Sequence, residues 1–256
     1  MFSNTEAFLR LREQTQAVLD FTVLISNSVP LLKMTMKNID KSVVGAKLAN
    51  PDYFKGDQNL DQLKSFAVKY KENLSKYILL SNFSYFEVYV VDAIEEMFNF
   101  HGGTDQLIED ARKRCQKHVN PSDQSIIKNR SKLQDSYKNK NKEKYQKYTR
   151  LLQANNFKFP SELLSAYGVQ KLSENLSNLK SVGIPELLID GLHFPITDNE
   201  VVEFHKIRDI RNSIAHGKRK TFDVPSAMKH NNFLRGLSVR LDQHLVKNYF
   251  VIERFS

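Results

Sequence analysis

Residues 60–100 read LDQLKSFAVKYKENLSKYILLSNFSYFEVYVVDAIEEMFNF, without a glycine or a proline. Leu63, Phe66, Ala67, Tyr70, Leu74, Ile78, Ser81, Tyr85, Val88, Val91, Ile94 and Phe98 recur at three- and four-residue steps, which is the period of one helix face. His101-Gly102-Gly103 supplies the stop. The run exceeds the usual globular helix, and long helices are rarely straight, so a bend is to be expected. One helix of this length, in a chain with only 9 Gly and 7 Pro among 256 residues, argues for few, long helices and against a β-sandwich or barrel.

Helical signals continue on both sides. Ser3-Asn4-Thr5-Glu6 has capping-box spacing, with Ser3 and Glu6 as the reciprocal pair. Phe8, Leu11, Thr15, Val18, Thr22 and Ile25 then form a helical face predicted to end near Asn27, before Pro30, with a second piece from Leu31 to Ile39. Gly45, Asn50-Pro51 and Gly56 mark a connection. Past the long helix, a helix is predicted from Thr104 to His118, followed by a break at Asn120-Pro121. The segment Ser122–Gln153 reads as one helix with a thin apolar stripe, and a short helical region runs from Phe159-Pro160 to Leu179. Gly183-Ile184-Pro185 and Gly191 read as turns. Thr197-Asp198-Asn199-Glu200 is a second capping box. It opens a helix through His216 whose apolar edge is Val201, Phe204, Ile207, Ile210 and Ile214, with Gly217 as the stop. A last helix starts near Pro225 and carries Met228, Phe233, Leu237, Leu241, Leu245 and Tyr249. No strand and no internal repeat is visible. The reading is an all-α bundle, a single domain over residues 1–256, with 104–191 as a basic helical insertion or sub-lobe.

Composition narrows the function classes. Hydrophobic residues make up 41%, a globular proportion. The lone cysteine, Cys115, excludes an intramolecular disulfide and a cysteine-based zinc site. It lies beside Arg112, Lys113 and Arg114 with no recognisable partner base, and reads as a bystander. The N-terminus lacks the basic and apolar regions of a signal peptide, and the apolar stretch Phe21–Pro30 is too short to span a bilayer. A cytoplasmic protein with no membrane association is the expectation. His193, His205 and His216 lack metal-ligand spacing and a completing carboxylate or thiolate cluster, so neither metal nor cofactor is expected.

The net charge of +9 is concentrated. Residues 112–150 carry 13 Lys/Arg against 3 Asp/Glu, a local net of +10. Such a block suits a polyanion. Within it, Lys138, Lys142 and Lys144 interleave with Tyr137, Tyr145 and Tyr148. They either track an RNA backbone while the tyrosines stack on bases, or form a solvated helix face with half-buried tyrosines.

The chemistry concentrates in Arg211-Asn212-Ser213-Ile214-Ala215-His216. Arginine offers a forked, permanent charge for phosphate and for the added charge of a pentacoordinate transition state. Histidine exchanges protons near neutrality. Asn212 precedes His216 by one helical turn and is placed to orient its ring. Lys218, Arg219 and Lys220 form a basic rim, and Arg208 either reaches phosphate or pairs with Glu203 or Asp209. Five positions on an ideal helix separate two side chains by about 140° around the axis. Arg211 and His216 therefore share one target only if the helix tightens or ends near Gly217, or if two chains build each site together. The second solution is the favoured one.

The motif resembles the R-polar-x-x-x-H signature of HEPN domains in its form R-N-x-x-A-H-G. Leu79-Leu80-Ser81-Asn82-Phe83-Ser84-Tyr85-Phe86-Glu87-Val88-Tyr89 is similar to the earlier long helix of the RiboL-PSP-type and related HEPN groups, where an aromatic–Glu pair is common. The matched parts are the long helix and the region from Thr197 onward. The resemblance implies a dimeric helical bundle whose Arg and His face their counterparts across a twofold axis. It also implies metal-independent endoribonuclease activity leaving a 2′,3′-cyclic phosphate, in a toxin or antiviral effector controlled by an antitoxin or regulatory protein. On that reading Arg211, Asn212 and His216 are catalytic, and Glu87 either pairs with Arg211 or Arg208 or is a surface carboxylate. Toxins silenced by a nucleotidyltransferase antitoxin often carry Tyr two residues after the His, whereas this chain has Lys218. The alternatives are a non-catalytic HEPN-like module binding RNA or protein, and a helical adaptor with no nucleic-acid role.

Overall fold

The structure is a computed structural model that describes residues 3–48, 59–107, 109, 124–139, 141–154, 168, 172–174, 176, 179–219 and 221–250. The side chains of residues 130, 134, 137, 138 and 152–154 lie outside that description. So do Cys115, Lys220, most of the helix expected from Thr104, and most of the region expected to be helical up to Leu179.

Every regular element among the described residues is helical: α1 Glu6–Asp40, α2 Leu60–Phe100, α3 Gln124–Lys138, α4 Lys142–Ala154, a 3₁₀ turn at Ser181–Gly183, α5 Ile184–Leu192, α6 Asp198–Ala215 and α7 Val224–Asn248. The all-α expectation holds.

The break expected at Asn27–Pro30 does not occur, and α1 passes through Pro30. Proline removes the hydrogen bond to the carbonyl four residues back, that of Ser26. Ser26 and Pro30 are both exposed, so water can satisfy that carbonyl. The apolar stretch is thereby longer than expected. An 18-residue window of α1 has mean hydropathy 1.3 and is long and apolar enough to cross a membrane by length and composition. Core helices of soluble proteins meet the same criterion when mostly buried, whereas 6% of this window is buried. Phe21, Val23, Leu24, Leu31 and Met34 on this helix are exposed.

Helix α2 is continuous over 41 residues, as its sequence requires. Its buried stripe follows the expected one only in part. Ala67, Leu74, Ile78, Ile94 and Phe98 are buried as expected, but Phe66 and Val88 are exposed, and Leu79, Phe83, Phe86, Tyr89, Val90, Ala93 and Met97 are buried as well. Apolar side chains surround this helix, so spacing alone could not say which row faces the core. The basic segment is two helices, not one. Asn141 accepts the Lys144 backbone N–H on Oδ1 at 3.1 Å, which caps α4 and ends the run through α3.

The chain divides into two compact units. The first comprises residues 1–11, 86–208 and 236–256. Its core includes Phe8, Tyr89, Phe86 and Phe204, with ring centroids 6.0 Å apart for both Phe8–Tyr89 and Phe86–Phe204. The start of α1 is held here by a local cap from Thr5 and a long-range one from Glu96, not by the expected Ser3–Glu6 box. Thr5 Oγ1 accepts the Phe8 N–H at 3.1 Å, and the Glu96 carboxylate accepts the N–H groups of Glu6 and Ala7 at 2.9 Å each. Thr5 in turn donates to Asp242 from its backbone N–H at 3.1 Å and its hydroxyl at 2.6 Å. A carboxylate suits this place because a helix N-terminus presents unpaired N–H groups and positive potential.

The 3₁₀ turn and α5 belong to this unit, and the end of α5 is tied to the C-terminal part of the chain. Tyr249 Oη donates to the Leu192 carbonyl at 2.6 Å, and His244 Nε2 reaches the same oxygen at 2.9 Å. Gly191 permits the close approach of Leu172, since a Cβ at position 191 would stand 2.6 Å from Leu172 Cδ2.

The second unit comprises residues 12–85 and 209–235. Its buried residues include Val18, Leu74, Ile78, Leu79, Phe83, Ile214, Phe222 and Leu234. Ser75 Oγ donates to the Phe222 carbonyl at 2.7 Å, and the Phe222 ring stacks on His230 at 6.1 Å with planes 4° apart.

Candidate active site

Helix α6 begins as its sequence predicts. Thr197 N donates to Glu200 Oε2 at 2.9 Å, and Glu200 N donates to Thr197 Oγ1 at 3.3 Å, a complete capping box. Burial raises the Glu200 carboxyl, but hydrogen bonds from Thr197 and Arg240 outweigh it and hold the group below the usual range. One turn before the motif, Arg208 is half-buried with Nη1 3.1 Å from His205 Nδ1. That contact requires Nδ1 to be the acceptor, with the ring proton on Nε2.

Arg211 is fixed from two elements of the second unit. Its Nη1 donates to Asn212 Oδ1 at 3.0 Å and its Nη2 donates to Ser84 Oγ at 3.2 Å. Its guanidinium carbon stands 5.6 Å from the centroid of Phe83. A planar cation over an aromatic face, with the fork held at two corners, has little rotational freedom left.

The helix end decides where His216 goes. Gly217 takes φ +68°, a left-handed conformation that glycine adopts without strain. The Lys218 N–H then bonds to the Ser213 carbonyl at 2.9 Å, and the Gly217 N–H to the Ile214 carbonyl at 2.9 Å. Those two bonds are the Schellman closure of a helix. His216 is therefore the C-cap residue, one position beyond the last residue of α6, with its N–H bonded to the Asn212 carbonyl at 2.9 Å. Its side chain is exposed and makes no hydrogen bond or ring contact among the described residues.

The structure thus assembles half of the expected constellation. Asn212 was expected to orient the imidazole, but its side-chain oxygen holds Arg211. An immediate neighbour can reach a guanidinium fork that folds back along the helix, and this competes with the one-turn reach to residue 216. No hydrogen bond joins Arg211 to His216 within one chain. Phe83 and Ser84 were missed as partners of Arg211. They lie inside the stretch quoted for the family resemblance, but nothing in local spacing links residues 127 positions apart. Glu87, expected to support the site, is half-buried on α2 in the first unit.

Of the expected RNA-binding residues, Lys218 and Arg219 are exposed beside the motif. Arg219 Nε donates to the Thr221 carbonyl at 3.2 Å, and its guanidinium lies 5.4 Å from the Phe222 centroid. Lys220 and the side chain of Lys138 lie outside the described residues. Lys144 is exposed, whereas Lys142 forms an ion pair with Glu186 and stands 3.7 Å from the buried Asp190 carboxylate. Tyr145 is buried, with its hydroxyl 3.3 Å from His193 Nε2, so it cannot stack on a base. Burial of an aromatic ring against His193 outweighed its display among lysines.

The RiboL-PSP-HEPN family model matches residues 54–247, more than half of the chain. No curated protein and no solved structure matches it.

Proposed function

The chain belongs to the RiboL-PSP-HEPN family, and from that membership we propose that it is a metal-independent endoribonuclease cutting single-stranded RNA. The observation that carries the reading is the pairing of a fixed cation with an exposed histidine on one helix end. Arg211 is held by Ser84, Asn212 and Phe83, and His216 stands unencumbered at the C-cap.

The chemistry needs no other groups. His216 removes the proton of a ribose 2′-hydroxyl, whose oxygen attacks the adjacent phosphorus. Arg211 stabilises the charge that builds on the phosphorane oxygens. The P–O5′ bond breaks, and the 5′-oxygen leaves with a proton, giving a 2′,3′-cyclic phosphate and a 5′-hydroxyl. Because Arg211 and His216 diverge around their own helix, two copies related by a twofold axis complete the site, one histidine acting as base and the other as acid. Arg208, Lys218, Arg219 and Lys220 hold the strand. Free cleavage of this kind suits a toxin or antiviral effector held in check by a regulatory protein.

A second reading draws on one observation. The Arg211 fork is spent on Ser84 and Asn212, as in a structural arginine, which favours a binding module without catalysis.

One experiment separates the two. Purified protein and its His216→Ala variant are incubated with end-labelled single-stranded RNA in excess EDTA, the product ends are analysed, and the oligomeric state is measured in parallel. Cyclic-phosphate fragments from the parent alone support the nuclease. Intact RNA from both proteins, with a dimer present, sinks it in favour of the binding module.

A further inference from the structure

In the second unit a groove of about 810 Å³ runs beside the motif, with Lys69, Tyr70 and Lys71 of α2 on one wall and Arg219 with residues 221–225 on the other. We propose that this groove carries the RNA strand away from the cut, with Lys69 and Lys71 as phosphate contacts. The inference rests on the ribonucleic-acid reading of the site, though not on cleavage itself.

Position is the first support. Arg219 follows His216 by three residues, a span of at most about 11 Å of chain. The N–H groups of Lys218 and Arg219 both bond to the Ser213 carbonyl, at 2.9 and 3.0 Å, so this segment is tied to the end of α6. The groove therefore opens within a few nucleotides of the histidine.

Charge is the second. The groove contains two carboxylates, and each has a cation against it, Lys76 beside Glu72 and Arg219 beside Asp223. Glu72 pairs with Lys76. Asp223 accepts the Ser226 backbone N–H at 2.8 Å and its hydroxyl at 3.0 Å, and these bonds hold its carboxyl below the usual range. Lys69 and Lys71 are exposed and have no ion pair or hydrogen bond among the described residues. The uncompensated charge of the groove is positive, as a phosphate backbone demands. Tyr70 is half-buried and lines the groove, with Lys33 Nζ 5.2 Å from its ring centroid. In the basic block of α3 and α4, Tyr145 is buried and Lys142 is paired.

Binding is measured in the His216→Ala background, where RNA stays intact, by anisotropy of a labelled 12-nucleotide strand between 50 and 200 mM salt. Each lost contact to a single strand lowers the slope of log affinity against log salt by about 0.7, so Lys69→Ala with Lys71→Ala should lower it by about 1.4. The affinities of parent and double variant then converge by about sevenfold across that range. A charge-matched control at exposed positions outside the groove, Lys41→Ala with Lys47→Ala, should leave the slope unchanged, and thermal melts confirm that both variants fold. An unchanged slope in the groove variant, an equal loss in the control, or binding of a poly-glutamate peptide in place of RNA overturns the proposal. Binding that depends on the groove in a parent that never cleaves would remove the nuclease and keep the groove. Cleavage with an unchanged slope would do the reverse.

Discussion

Gly217→Ala is the substitution whose effect can be worked most fully from the structure. A Cβ at position 217 meets nothing within 4 Å, so no steric clash contributes. The cost is the backbone alone. Holding an L-residue left-handed costs about 1–2 kcal/mol. Replacing glycine also narrows the unfolded ensemble, which returns about 0.4–1 kcal/mol to the folded state. At the middle of both ranges the net expectation is a loss of about 0.8 kcal/mol, with about 1.6 kcal/mol as the upper limit. For a chain of this size that lowers the melting temperature by roughly 2–3 °C, and by at most about 6 °C. Gly217→Asn should lose less, since asparagine tolerates this conformation. The functional loss should exceed the stability loss, because the left-handed turn is what brings Lys218 back onto the Ser213 carbonyl and places His216 at the C-cap. Differential scanning fluorimetry and the RNA-cleavage assay on the same three proteins make the test. An alanine variant that melts with the parent, or one less damaging than asparagine, refutes the left-handed closure and with it the placement of the histidine.

Other substitutions address separate links. Asn212→Ala removes a hydrogen bond to a charged group, typically about 1.5 kcal/mol, and should slow cleavage about tenfold with the pH–rate profile unmoved; a shifted profile would return Asn212 to the histidine. Gly191→Ala places a methyl group 2.6 Å from Leu172 Cδ2 and should cost about 1–3 kcal/mol, read as a lower denaturation midpoint. His244 is held below its ordinary pKa of 6.5 by burial, with Lys247 adding repulsion against the Leu192 carbonyl bond that opposes them. The unfolded chain binds the proton more readily, so the stabilisation is complete above about pH 6.5 and declines as pH falls toward the depressed value. Melts between pH 7.5 and 5.5 should show that decline, and His244→Gln should flatten it.

Most of the secondary structure was legible because it depends on neighbours in sequence. The Thr197–Glu200 box, the uninterrupted α2 and the stop at Gly217 are local, and each appears as read. The departures have separate causes. Pro30 is a strong local breaker, yet α1 continues through it where the freed carbonyl is exposed. Asn141 is a local cap, three residues before the N–H it accepts. The core row of α2 could not be chosen by spacing, because a helix apolar on several sides has no single periodic face. Ser3 lost the first cap to Thr5 because Asp242 and Glu96, more than 80 residues away, supply the stronger acceptors.

By itself the sequence determined the helical class, the family resemblance and the position of the Arg–His pair, since helical periodicity, capping and motif spacing are all written within a few residues. Tertiary structure alone decided what each group does there. It set Arg211 against Phe83 and Ser84, turned Asn212 toward the arginine, buried Tyr145 and left Lys69 and Lys71 uncompensated. Those outcomes depend on which distant side chains arrive beside a group and on whether water remains around it, and neither is encoded in spacing along the chain.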